Sequence, residues 1–184
     1  TPPRIKTLTF KIIKDPSVAL LALQRGEIDC VPFHSIPPGI IHNIQQNPDK
    51  YPNIKTYVAS TAAITGMYIN MRIYPYNITD FRRAVAYAID YNRVLNDIFY
   101  GYGKRVSPTF AHPLSEWYDP SIKPIQQNLT RARELLDKAG FLDRDGDGWR
   151  EAPNGEPITM NILSENSILA MDLNDLIVKS LKDI

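Results

Sequence analysis

The 184-residue chain has one cysteine, three histidines and no stretch approaching the roughly 20 apolar residues that cross a bilayer. A single cysteine, Cys30, excludes an internal disulfide framework and any multi-thiolate zinc cluster. A surplus of one charge is also missing: 21 Lys plus Arg face 20 Asp plus Glu, a formal net charge of +1. That balance gives no support to nucleic-acid binding, which draws on a basic excess. His34, His42 and His112 stand apart, and none has a carboxylate or second histidine at metal or catalytic spacing. No phosphate-binding glycine loop, dinucleotide fingerprint or serine elbow occurs, and His34 beside Ser35 is a lone neighbour rather than a triad. The sequence gives no sign of an enzyme.

What is present is the composition of a folding chain. Hydrophobic residues make up 43% and charged residues 22%, close to ordinary soluble usage. At this length about 70% of the unfolded chain's surface can be hidden, enough for one large domain or two small lobes. Fifteen prolines fall mainly between periodic segments and act as punctuation. Leu8, Phe10 and Ile12 alternate with polar residues as in a half-buried strand. Asp15-Pro16 then caps a helix ending at Gly26, and Ile28 to Val31 reads as a second strand, with Cys30 a buried thiol within it. By the crossover rule this is a β-α-β unit with parallel strands.

A second helix, 37–46, stops at Asn47-Pro48, and strands are expected over 54–60, 66–71 and 158–163. Thr79 and Asp90 read as caps of two consecutive helices, the second closed by Gly101. Asn128 and Ser167 read as caps of two more, with Gly140 ending the first. The last helix runs to Ile184 without a stop signal, so a cut chain is expected. The 102–127 stretch is long and unpatterned, as functional loops often are.

Two groups of residues could meet a ligand. Asp143, Asp145 and Asp147, followed by Gly148 and Glu151, place carboxylates at alternate positions like the front half of a calcium-binding loop. Asn154 stands where that motif needs a bidentate acid. Structural calcium on Asp143, Asp145, Asp147 and Glu151 is one reading, and a turn whose aspartates accept backbone N–H groups is the other. Ten tyrosines, concentrated in the middle of the chain, combine an apolar ring with a hydroxyl, which suits a binding wall. Tyr68, Asn70, Glu116, Trp117 and Tyr118 are the candidate ligand-binding residues, since a cleft needs aromatic walls and a few oriented polar groups.

Ala22-Leu23-Gln24-Arg25-Gly26-Glu27-Ile28-Asp29-Cys30-Val31-Pro32 resembles a signature of the family 5 extracellular solute-binding proteins of oligopeptide and dipeptide ABC importers. The likeness continues through Tyr68-Ile69-Asn70-Met71, then Asp80-Phe81-Arg82-Arg83-Ala84-Val85-Ala86-Tyr87-Ala88-Ile89-Asp90, and again at Ala132-Arg133-Glu134-Leu135-Leu136 and Asp145-Gly146-Asp147-Gly148. The resemblance implies an α/β chain forming part of a periplasmic-binding-protein type II-like two-lobed fold. Residues 1–60 would give a β-α-β unit and helix of the first lobe, and 61–184 an α+β second lobe truncated at its C-terminus, with 59–66 as hinge. It implies binding of a peptide or similar small solute outside the cytoplasm, by a membrane-anchored protein, and delivery to an ABC permease. A carbohydrate-binding member of the family and a sensor or regulatory module are the alternatives. In peptide-binding members the acid that pairs with the ligand's amino group lies beyond the end of this chain, so that role matches no residue here.

Overall fold

The computed structural model describes residues 4–32, 36–59, 63–109 and 111–184. The chain divides into two compact units, Thr1–Val58 and Ala59–Ile184.

The smaller unit is built on helices α1 (Pro16–Gln24) and α2 (Pro38–Gln46), followed by a 3-10 turn, Pro48–Lys50. Asp15 starts α1 as its sequence requires: the carboxylate accepts from Ser17 N at 2.8 Å and Val18 N at 3.0 Å, satisfying two of the orphan donors of a helix start. Only Ala19, Ala22, Ile44 and Tyr51 are buried here among the described residues. The alternating row does not become a strand: Leu8, Phe10 and Ile12 are 70%, 83% and 90% exposed. Cys30 is exposed as well, against its apolar flanks. His34 and Ser35 lie outside the described residues.

No segment of the described residues forms a strand ladder, so the strands expected at 8–12, 28–31, 54–60, 66–71 and 158–163 are not seen; Ser60 itself lies outside the described residues. The physical reason is that alternation fixes which face of a segment is apolar but supplies no partner, and a strand exists only through its neighbour's N–H and C=O groups. The remaining pairing consists of isolated antiparallel bridges, Leu142 to Glu151 and Glu151 to Pro157.

The larger unit has its core between α3 (Thr79–Ala88) and α5 (Leu129–Lys138). Ala84, Ala88 and Ala132 are fully buried, and their small side chains let the two helices approach closely. Phe81, Val85, Leu135, Leu136, Phe141 and Ala152 complete the cluster. Phe81 and Phe141 meet with ring centroids 5.0 Å apart, a contact worth about 1 kcal/mol beyond its buried area. Thr79 is the first residue of α3 rather than its cap; its hydroxyl instead accepts from the Arg82 guanidinium at 3.1 Å. The carbonyls at the end of α3 find external donors: Ala86 O accepts from the Tyr91 hydroxyl at 3.0 Å, Tyr87 O from Asn128 N at 2.8 Å, and Ala88 O from the Gln127 amide at 2.9 Å.

Asp90 does cap the next segment, accepting from Asn92 N at 3.1 Å and Arg93 N at 3.0 Å. That segment is one α turn, α4 (Tyr91–Arg93), which widens into a π-helical turn, Val94–Ile98, closed by Phe99 N–H donating to Val94 O at 3.1 Å. Helix α6 (Ile168–Leu181), capped by Ser167 on Ala170 N at 3.2 Å, lays Leu176 against Ile89 and Ile98, with Leu169, Leu173 and Ile177 around them. Gly140 ends α5 in the left-handed region at φ +83°, and a Cβ there would stand 3.1 Å from the Pro153 ring.

Candidate functional site

The candidate residues all lie in the larger unit, on three segments. Tyr68 and Asn70 lead into the turn at 71–77. Tyr68 is 79% exposed, and the exposed Asn70 accepts from Arg72 N at 3.1 Å, which starts the turn. The turn is anchored by its aromatics. The Tyr74 ring lies 6.1 Å from Phe141, and Tyr76 meets Phe81 edge-on at 5.9 Å. The Arg82 guanidinium donates to Tyr76 O at 2.7 Å. Burial pushes the Tyr74 hydroxyl pKa up, keeping it neutral.

The second segment is the long loop between the π turn and α5. A run of turns shapes its tip. His112 Nδ1 accepts from Leu114 N at 3.1 Å, Ser115 N donates to His112 O at 2.7 Å, and Ser115 Oγ accepts from Trp117 N at 3.2 Å. Asp119 accepts from Ser121 N at 2.8 Å, and the hydrogen bonds from Ser121 lower its pKa. The outcome is that Glu116 is exposed, Trp117 is 81% exposed, and Tyr118 is half-buried.

The base of this loop is clasped by Arg105, which the sequence reading did not single out. Its guanidinium donates to the Gln126 side chain at 2.7 Å and to Ile125 O, reaches Asn92 Oδ1 at 3.5 Å, and lies 5.0 Å from the centre of the Tyr91 ring. The planar fork suits this several-partner role, and the cation gains from the ring face. Burial raises the Tyr91 hydroxyl pKa, an effect that the Arg105 charge opposes. The partners lie 13 to 21 residues from Arg105 in either direction, so no local motif marks it.

The third segment is the acidic loop. Asp143, Asp145, Asp147 and Glu151 each place an oxygen within 4.8 Å of the others, as a hard cation would need. The same carboxylates accept backbone groups. Asp143 takes Gly146 N at 2.7 Å and Gly148 N at 3.0 Å, and Asp145 takes Asp147 N at 3.1 Å. Asp147 takes Trp149 N at 2.8 Å, and Glu151 takes Arg144 N at 2.8 Å. The loop is therefore held by its own aspartates, which is the second of the two readings of its sequence, while their remaining lone pairs converge.

A cleft of about 540 Å³ opens beside this loop, lined among others by Arg133, Asp137, Arg150 and Lys182. Its two arginines are held by neighbouring acceptors. Arg150 donates to Asp137 at 2.5 Å, to Phe141 O at 2.6 Å and to Ile184 O, and Arg133 donates to Asp183 O at 2.6 Å. Of the predicted residues only Asp143 lines it.

Residues 1–184 match the family described as bacterial extracellular solute-binding proteins, family 5 Middle. The nickel-binding periplasmic protein of Escherichia coli is 27% identical over 162 residues, 87% of this chain and 30% of that protein. The oligopeptide-binding protein AppA of Bacillus subtilis is 27% identical over 150 residues, 79% of this chain and 26% of that protein. The crystal structure of a periplasmic oligopeptide-binding protein from Thermotoga maritima superposes with a TM-score of 0.70 at 26% identity, covering 93% of this chain and 33% of that one. The same Thermotoga protein is also known with mannohexaose bound. The chain thus spans between about a quarter and a third of the length of these relatives.

Proposed function

We propose, since this chain belongs to the bacterial extracellular solute-binding proteins of family 5, that it forms part of the substrate-binding component of an ABC importer. In this reading the protein captures a peptide or similar small solute outside the cytoplasm, is held at the membrane by an anchor, and hands its cargo to the permease. The match over all 184 residues carries the proposal. The peptide as cargo follows the oligopeptide-binding relatives from Bacillus and Thermotoga. Capture and release require no bond to be made, in keeping with relatives that are binding proteins rather than enzymes.

Residues 1–60 belong to one lobe and 61–184 to the other, a reading supported by the division of the chain at Val58 and Ala59. The connecting segment 59–66 would then take up the dihedral change of closure; its residues 60–62 lie outside the described ones. Tyr68, Asn70, Glu116, Trp117 and Tyr118 contribute aromatic wall and polar groups to the cleft, supported by the exposure of the first four on anchored loops. The acidic loop enters as scaffold, with calcium on Asp143, Asp145, Asp147 and Glu151 as an added brace.

A sugar is the second reading, favoured by the mannohexaose complex of the Thermotoga relative. Native mass spectrometry of a polypeptide of the relatives' length containing this chain, purified without refolding, separates the two. A co-purified peptide supports the proposal, an oligosaccharide supports the second reading, and a nucleic acid or a covalently altered substrate would sink both.

A further inference from the structure

Asn154 is the one asparagine of the chain that is followed by glycine. It sits in an exposed turn in which Gly155 has φ +84°, Gly155 N donates to Ala152 O at 2.8 Å, and Ala152 N donates to Glu156 O at 2.9 Å. The Asn154 Oδ1 accepts from Glu156 N at 3.2 Å. Three features favour attack on this side-chain amide by the next backbone nitrogen. The two groups are held in one chain at a five-membered-ring separation, which gives a high effective concentration. Glycine has no Cβ to shield its nitrogen. Negative charge in the tetrahedral intermediate falls on Oδ1, where the Glu156 N–H already donates.

We infer that Asn154 is a site of spontaneous deamidation. Solvent base removes the Gly155 amide proton, and the nitrogen forms a bond to Asn154 Cγ. The side-chain nitrogen takes up a proton from solvent, its bond to Cγ breaks, ammonia leaves, and a succinimide remains. Water adds to either succinimide carbonyl and opens the ring to aspartate or isoaspartate. Gly155 must first leave its hydrogen bond to Ala152, so the folded turn reacts more slowly than the unfolded chain. The isoaspartate product inserts a methylene into the main chain of a turn that seats Ala152, 2% exposed, in the core and presses Pro153 against Gly140. Ageing therefore loosens the packing behind the acidic loop.

Trypsin releases residues 151–179 as one peptide, which also carries Asn161, Asn166 and Asn174 as internal controls. After incubation of the full chain at mildly alkaline pH, this peptide is expected to gain about one dalton and split into two isomers. Conversion at Asn154 should outpace each control by at least about tenfold. No conversion, or conversion spread evenly over the four asparagines, would overturn the site. The variant Asn154→Asp installs the charge without the methylene. It is expected to melt above the aged, isoaspartate-rich protein, and equal melting points would remove the packing consequence.

Discussion

Asp143 shows how much one side chain can organise in a loop with little apolar content. Its two oxygens accept the backbone N–H groups of Gly146 and Gly148. Asp143→Ala is expected to lower stability by about 1 kcal/mol, the scale of exposed charge-assisted bonds. Urea unfolding with and without calcium measures this. The loss should appear in calcium-free buffer, and a stabilisation of the parent chain by millimolar calcium that the variant lacks would assign the loop a cation. Asp80 contributes to the pH dependence. Its carboxylate meets Lys138 at 2.8 Å, and that hydrogen bond chiefly lowers its pKa, with Arg83 and Arg131 adding to the effect. A depressed folded pKa contributes stability above the unfolded value, and that contribution is lost as pH falls through the folded one. Lys138→Met should therefore move the Asp80 titration upward toward the ordinary carboxylate range, followed by NMR of the side-chain carbonyl. An unmoved titration would show that the arginines dominate.

At the level of elements, the long loop before α5 owes its order to Arg105. Arg105→Lys keeps the charge but loses the fork that spans Gln126 and Ile125. Amide exchange over 106–124 is expected to rise roughly tenfold while α3 and α5 stay protected, since their core lies elsewhere. Equal exchange in both proteins would mean that the turns at His112 and Ser115 suffice. This clasp was illegible in the sequence because its partners are distant, whereas Asp15, Asp90, Asn128 and Ser167 were readable as caps because a cap bonds two or three residues ahead. Thr79 had the same chemistry but lies inside α3, where its hydroxyl serves Arg82. The π turn was equally hidden: Val94, Ile98 and Phe99 show ordinary helical spacing, and a single wide turn barely disturbs it. Strands failed for the complementary reason, since Leu8, Phe10 and Ile12 encode a face and leave the partner unspecified. Of the candidate site, the carboxylate convergence followed from spacing alone, while the exposure of Trp117 depends on a loop with no periodicity.

For the whole molecule, the family was legible in short motifs spread over most of the chain, and the match over residues 1–184 and the Thermotoga superposition agree with it. The chain nevertheless spans at most about a third of those relatives, and a cleft closed by two lobes needs walls from both. We expect residues 1–184 alone to bind peptides more weakly than micromolar by calorimetry, and a micromolar affinity would show that the wall residues proposed here suffice without the rest. Cys30, the lone thiol, is solvent-exposed in the smaller unit, and both tryptophans, Trp117 and Trp149, are exposed in the larger one. The chain thus comes with its own spectroscopic pair. A single acceptor dye on that thiol, excited through the indoles, would test the proposed closure of one lobe on the other without any engineered residue.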